Sequence, residues 1–228
     1  MQAFDSLSRD IQQYIYDKGW PSLTHIQNAA IKQVANTDHN LILSAPTASG
    51  KTEAAFIPAL NSVEDWETGL KVLYISPLKA LINDQFHRIS ELSEYLDIPI
   101  TRWHGEVSQT QKRKVVNQPK GILLITPESI EGMLVNRPGE AEHLFKGVEW
   151  IIIDELHSFL GTERGIHLQS LLQRISRFMQ APRFIAMSAT LNKKDFGYAK
   201  AFFGSPRHTD ILVDRVKNDL LITIDYTS

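Results

Sequence analysis

The sequence predicts an α/β fold built on a mostly parallel central sheet with helices on both faces. Three observations lead there. Short apolar runs alternate with amphipathic stretches along the chain. The run at 41–43 opens directly into Ala45-Pro46-Thr47-Ala48-Ser49-Gly50-Lys51-Thr52. A short apolar run at 150–153 ends in Asp154-Glu155-Leu156-His157. Alternating strand-like and helix-like segments are the mark of βαβ units, whose crossover helices cover a parallel sheet.

Strands are predicted at 41–43, 71–75, 100–103, 121–125, 150–153 and 184–187, with 210–213 as an edge candidate. Each is short, apolar and rich in β-formers. Helices are predicted at 5–17 and 25–35 ahead of the first strand, at 51–61 after the glycine-lysine loop, and at 79–95 beginning after Pro77. Further helices are predicted at 108–117, 129–135, 165–180 and 193–203. The segments 138–147 and 204–208 read as loops, because proline and glycine interrupt the periodicity. The tail 220–228 alternates like a strand with no turn to close it, and reads as a connector.

The chain has 228 residues, 43% hydrophobic and 22% charged, with a formal net charge of −2. That is one ordinary domain or slightly more, large enough for a substantial core. No apolar run approaches the roughly 18–20 residues needed to cross a bilayer. Met1-Gln2-Ala3-Phe4-Asp5 has neither the basic region nor the apolar core of a signal peptide. A soluble cytoplasmic protein with no membrane partner is expected. With no cysteine, disulfides and thiolate metal sites are excluded. The near-neutral charge argues against a wholly basic surface, so any nucleic-acid contact must be local.

The loop at 45–52 sits where a strand meets a helix N-terminus, the context a phosphate-gripping loop requires. Backbone N–H groups from Thr47, Ala48, Ser49 and Gly50 and the helix dipole suit the β- and γ-phosphates of a nucleoside triphosphate such as ATP. Lys51 adds a mobile positive charge, and the Thr52 hydroxyl suits one position on Mg²⁺. The usual first glycine of such loops is Ala45 here. Asp154, at the end of a buried strand, is placed to hold Mg²⁺ through its water shell. Glu155 is placed to orient or deprotonate an attacking water. The plainer reading of this acidic pair is a helix-start cap, which leaves the loop at Lys51 unexplained.

Six segments in order resemble the first RecA-like domain of a superfamily 2 helicase, and they span nearly the whole chain. Gly19-Trp20-Pro21-Ser22-Leu23-Thr24-His25-Ile26-Gln27 resembles the adenine-reading Q motif, and Ala45 to Thr52 resembles motif I. Ser76-Pro77-Leu78-Lys79-Ala80-Leu81 resembles motif Ia, and Thr126-Pro127-Glu128-Ser129 resembles motif Ib. Asp154 to His157 resembles motif II, and Ser188-Ala189-Thr190 resembles motif III. Within that superfamily, the run S-P-L-K-A-L-I-N-D-Q, the D-E-L-H form and Gly161-Thr162-Glu163-Arg164-Gly165 are most similar to the Lhr (large helicase-related) group.

The resemblance implies a three-layer RecA-like P-loop domain over 37–215. Residues 1–36 would form a helical segment of the same domain, and 216–228 a connector toward a second RecA-like domain. It implies that Gln27 pairs with the N6 and N7 edge of adenine, an amide geometry suited to that base. Phe4, Tyr16 and Trp20 are each candidates to stack on the ring. Ser76, Pro77, Lys79, His104, Gly105, Thr126, Pro127 and Glu128 would hold the sugar-phosphate backbone of single-stranded nucleic acid, DNA in preference to RNA. Ser76 or Thr126 as an ordinary helix cap is compatible with that role, since a helix N-terminus is itself a phosphate site.

His157, with Ser188 and Thr190, would couple the nucleotide site to domain movement. The other histidines, among them His39, His87, His143 and His208, read as surface residues. The family's arginine fingers come from the second domain, and nothing after Thr190 resembles those motifs. This chain is therefore expected to bind ATP and Mg²⁺ and to hydrolyse poorly alone, while the full motor moves 3′ to 5′. A nucleotide-dependent switch or scaffold that recruits partners without unwinding is the alternative of a different class.

Overall fold

The computed structural model describes residues 3–214. In chain order these form α1 (Arg9–Asp17), α2 (His25–Asn36), β1 (Asn40–Ser44), α3 (Lys51–Ser62), β2 (Gly69–Ile75), α4 (Lys79–Tyr95), β3 (Ile100–Trp103) and α5 (Gln109–Asn117). There follow β4 (Lys120–Ile125), α6 (Pro127–Asn136), α7 (Pro138–Phe145), β5 (Trp150–Ile153), α8 (Glu163–Ile175), β6 (Arg183–Ser188), α9 (Phe196–Ala201) and β7 (Thr209–Val213). The strands make one sheet in the order β3-β4-β2-β5-β6-β1-β7. Every pairing in it is parallel.

Period-2 side-chain alternation divides the core into two layers, one on each face of the sheet. Leu41, Leu43, Val72, Tyr74, Ile122, Leu124 and Ile152 pack beneath α1, α2, α3 and α4. Ile42, Leu73, Ile75, Leu123, Ile125, Ile151 and Ile153 pack beneath α6, α7, α8 and α9. The predicted three-layer α/β class is therefore the observed one. Among the described residues, no helix is long and apolar enough to cross a membrane. The predicted connector at 216–228 and the alternation at 220–228 lie outside the described residues.

Several predicted boundaries move for local reasons. The helix expected at 5–17 is a single turn at Phe4–Ser6 followed by α1. Ser8 restarts it, its hydroxyl accepting the Ile11 N–H at 3.4 Å while Asn61 Oδ1 takes the Ser8 N–H. The segment 138–147, read as a loop, contains α7. Pro138 occupies its first turn, where a missing N–H is harmless, and Ala141, Leu144 and Phe145 are buried at helical spacing. α6 likewise begins at Pro127, two residues before the expected start, capped by the Thr126 hydroxyl on Ser129 N–H. The helix expected at 165–180 starts earlier, at Glu163, because Thr162 caps it through the Gly165 N–H at 3.1 Å, and it ends at Ile175. The edge candidate is an edge strand, β7, which among the described residues pairs with β1 alone.

Gly165 is required by a close approach: a Cβ there would lie 1.8 Å from the Phe159 carbonyl oxygen. Replacing Gly165 with alanine must move backbone, and the expected cost is about 3 kcal/mol. A Cβ on Gly132, inside α6, meets nothing within 4 Å. Gly132→Ala should therefore stabilise by roughly 0.5–1 kcal/mol. Thermal unfolding of both variants checks the pair, and equal midpoints would contradict the packing described.

Candidate nucleotide site and nucleic-acid groove

The C-terminal ends of parallel strands gather the loops of an open α/β sheet at one edge, where ligands bind. The glycine-lysine loop leaves β1 there, and its first N–H, on Ala45, donates to the Ser188 carbonyl of β6 at 3.2 Å. The loop turns through two left-handed residues, Ala48 at φ 62° and Gly50 at φ 83°. A side chain on Gly50 would collide with Gln27, whose Nε2 lies 2.5 Å from the Cβ position. α3 then begins at Lys51, so the loop leads into the positive end of a helix dipole. Lys51 Nζ donates to the Ala45 and Pro46 carbonyls at 2.5 and 2.6 Å. Burial pulls Lys51 below the usual lysine range, against the opposing pull of Glu155 and Asp154.

Gln27 is buried in a reciprocal cap at the start of α2, not solvated. Its Oε1 accepts the Thr24 N–H at 2.9 Å, while Thr24 Oγ1 accepts the Gln27 N–H. Its Nε2 donates to the Gly50 carbonyl at 3.4 Å, tying the α2 start to the phosphate loop. The three aromatic candidates, Phe4, Tyr16 and Trp20, line one hollow of about 420 Å³ with Leu23 and Asn28.

Asp154 directly follows β5 and is buried; its Oδ2 accepts from the Tyr74 hydroxyl and its Oδ1 from the Glu155 N–H at 2.9 Å. Burial raises its pKa above the usual aspartate value, with Tyr74, the Glu155 amide and Lys51 acting in the other direction. Glu155 is raised as well, first by burial and then by the Asp154 charge. Glu155 adopts the left-handed region, φ 48°, a conformation that strains a residue with a side chain. Thr52 is buried, and its hydroxyl donates to Gln85 Oε1 of α4 at 3.1 Å.

His157 Nδ1 lies 3.3 Å from Ser188 Oγ and 3.2 Å from Glu155 Oε2. The Ser188 hydroxyl spends its single proton on the Thr190 carbonyl at 2.8 Å. The hydrogen between His157 and Ser188 must then sit on His157 Nδ1, which donates. Thr190 thus contributes its main-chain oxygen to this chain of contacts, and Ser188 the hydroxyl.

A second concavity of about 630 Å³ opens on the same edge, lined by Pro77, Leu78, Lys79, Ala80, Gly105, Thr126, Glu128, Ser129 and Arg164. Of the predicted contacts, Ser76, His104 and Pro127 are buried and do not line it. Both ring nitrogens of His104 are buried without a hydrogen-bond partner, and burial lowers its pKa. Lys79 Nζ is exposed and pairs weakly with Glu106 at 3.2 Å. Arg164 Nη2 donates to the Pro77 carbonyl at 2.7 Å and to Glu128 Oε1 at 2.6 Å. Burial opposes the Glu128 charge, yet the Arg164 guanidinium holds its carboxyl below the usual range. Arg164, Gln85 and Tyr74 were not among the sequence-predicted site residues. Two of them, Arg164 and Gln85, fall in stretches whose family likeness the sequence already carried.

Comparison with known proteins agrees with this geometry. The profile of the DEAD/DEAH box helicase family matches residues 24–196, well over half of the chain. The ATP-dependent helicase Lhr-Core of Methanocaldococcus jannaschii is 29% identical over 98% of this chain and 28% of its own length. The Lhr helicase/uracil glycosylase of Escherichia coli is 33% identical over 83% of this chain and 13% of its own. The chain thus spans less than a third of the curated relatives it matches. The structure of Mycobacterium smegmatis helicase Lhr bound to ssDNA and AMP-PNP superposes with a TM-score of 0.81 at 26% identity, over 94% of this chain and 28% of that one. With the phosphate loop, the paired carboxylates and the serine-histidine contact at one sheet edge, and this match along most of its length, the chain belongs to the DEAD/DEAH box helicase family.

Proposed function

We propose that this chain is the first of two ATP-binding motor domains in a helicase that tracks single-stranded nucleic acid. The observation that carries the proposal is the shared sheet edge: the phosphate loop and the groove of Lys79, Thr126 and Arg164 are joined through α4, whose Gln85 takes the Thr52 hydroxyl. DNA is the preferred track, a reading supported by the Mycobacterium smegmatis relative solved with ssDNA and AMP-PNP. Movement from 3′ to 5′ rests on the family resemblance alone.

The donor set fits Mg²⁺–ATP. Ser49 Oγ is buried without a hydrogen-bond partner in the loop, an unsatisfied polar atom at the start of α3. The Thr52 hydroxyl and the Asp154 carboxylate are the oxygen ligands a hard cation selects. When bound, Mg²⁺ neutralises charge on the phosphates and orients them. Lys51, now on the Ala45 and Pro46 carbonyls, turns to the phosphates; Glu155 receives a proton from the attacking water, and its raised pKa suits that task. Gln27 holds the α2 start against the loop and offers its amide to adenine. In the groove, Thr126 and the main-chain amides at the start of α6 meet backbone phosphates, while Arg164 neutralises the Glu128 carboxylate that shares the lining. His157 reports the state of Glu155 to Ser188 and Thr190.

Hydrolysis by this chain alone should be slow, because a second domain supplies the arginine finger, worth about 10³- to 10⁵-fold in rate. The deciding experiment measures ATP hydrolysis by the chain and by the full-length protein, each with single-stranded DNA, single-stranded RNA or neither. Stimulation by DNA only in the full-length protein fits the motor. ATP binding with no stimulation by either polymer fits instead a switch that recruits partners.

Two further outcomes follow from the carboxylates. Glu155→Gln in the full-length protein should lower kcat at least about 100-fold with nucleotide binding retained, measured in single-turnover assays. Wild-type activity should fall on acidification at a pH above that of an ordinary glutamate, since protonation removes the base. Stability responds to acid in the opposite sense from activity, as Asp154 shows. Its folded pKa lies above the unfolded value, so ionisation destabilises the fold at neutral pH, and the penalty disappears as pH falls below both values. Asp154→Asn removes the buried charge and can still meet both neighbours, its Oδ1 accepting the Glu155 N–H while its Nδ2 donates to the Tyr74 hydroxyl oxygen. Calorimetry at pH 7 should show a raised Tm with activity lost, and a lowered Tm would contradict the account.

A further inference from the structure

The opposite edge of the sheet, where β1 and β7 begin, holds a cluster that the nucleotide chemistry does not use. Parallel pairing sets Asn40 against Thr209 and Leu41 against Asp210, which brings His39 and His208 side by side. His39 Nδ1 lies 2.6 Å from Asp210 Oδ2, and His208 Nε2 lies 3.2 Å from Asp210 Oδ1. The two imidazoles meet edge to face with centroids 4.8 Å apart. One ligand atom from each of the three residues falls within 4.8 Å of the others. Two of the histidines read as surface residues are thus gathered round one carboxylate.

The surroundings hold this arrangement in place. Gln33 Nε2 donates to Asp210 Oδ2 at 2.6 Å, orienting the carboxylate as outer hydrogen bonds do around metal ligands. The His39 carbonyl accepts from the Arg183 guanidinium at 2.9 Å, and the His208 carbonyl accepts the Asn40 N–H at 2.8 Å. Asn40 itself is buried, its side chain bonded to Phe184 N–H and to the Arg207 carbonyl. The Arg207 guanidinium is engaged by Asp38 at 2.6 Å. The backbone carrying both histidines is therefore fixed, while the His208 ring, 59% exposed, is free to turn.

We propose that His39, His208 and Asp210 form a binding site for a divalent first-row transition ion, zinc foremost. Two imidazole nitrogens and one carboxylate oxygen are a donor set that such ions accept, and that Mg²⁺ and Ca²⁺ do not favour. With ligand bonds of about 2.0–2.2 Å, neighbouring donors stand roughly 3.3 Å apart. The ion takes the place of the proton between His39 and Asp210, His39 then carrying its proton on Nε2; that contact opens slightly, and the His208 ring turns inward. Water completes the coordination on the exposed side. The ion would clasp the start of the edge strand β7 to that of β1, a stabilising role at the sheet edge remote from the phosphate loop.

The test is titration of tag-free, chelator-treated protein with ZnCl₂ and CoCl₂, followed by calorimetry, cobalt absorption and thermal unfolding. One zinc per chain should bind with micromolar affinity, and excess zinc should raise Tm by about 4 °C. MgCl₂ should do neither in the absence of nucleotide. His208→Ala should weaken zinc binding at least about tenfold and abolish the Tm rise. Its exposed ring makes unfolding of this variant no explanation. His39→Ala and Asp210→Asn should do the same, and His87→Ala should leave binding intact. Absence of saturable zinc binding, or binding undiminished in His208→Ala, would overturn the assignment.

Discussion

The parallel backbone ladder is the constraint on which everything else depends. Because all strands point the same way, their C-terminal ends meet at one edge, and the hydrogen bonding runs past the strand ends into the loops. Ala45 donates to the Ser188 carbonyl, Asp154 to Ile75, Ser76 to Ile125 and Asp214 to Ser44. Each bond fixes the first residue of a segment that carries chemistry or leads away from it. Short, flexible-looking sequences such as Ala45-Pro46-Thr47-Ala48 thus begin from positions as rigid as the core.

That rigidity tolerates local disadvantages at the site. Asp154 is charged and buried, Glu155 is both raised in pKa and left-handed, and Lys51 is partly desolvated. Each opposes folding when considered alone. They persist because two complete apolar layers flank the sheet, with Ile151, Ile153 and Leu123 fully buried on one side and Leu41, Val72 and Ile152 on the other. Each such side chain contributes about 1.5–3 kcal/mol.

The fold class and most elements were legible in the residues, since short continuous apolar runs are a local signal and each strand predicted from one is present. The phosphate loop and the acidic pair were legible for the same reason: contiguous residues of the right chemistry sit beside a recognisable strand. What escaped was nonlocal or ambiguous. α7 was hidden by Pro138-Gly139, because the same dipeptide breaks a helix or begins one, and only the burial of Ala141, Leu144 and Phe145 decides. Tyr74 and Gln85 touch Asp154 and Thr52 from distant segments, contacts no spacing encodes. The gathering of His39 and His208 needed the β1–β7 register, which two isolated histidines cannot announce.

The contact between Thr52 and Gln85 has a mechanical meaning. Lys79 opens α4 at the groove, and Gln85 lies six residues further along the same uninterrupted helix, a rise of about 9 Å. An α-helix of this length is stiff along its axis, so it behaves as a pushrod. The helix is the stiff part of this path and the hydrogen bond to Thr52 the soft part, so that one bond sets how far a movement at either end reaches the other.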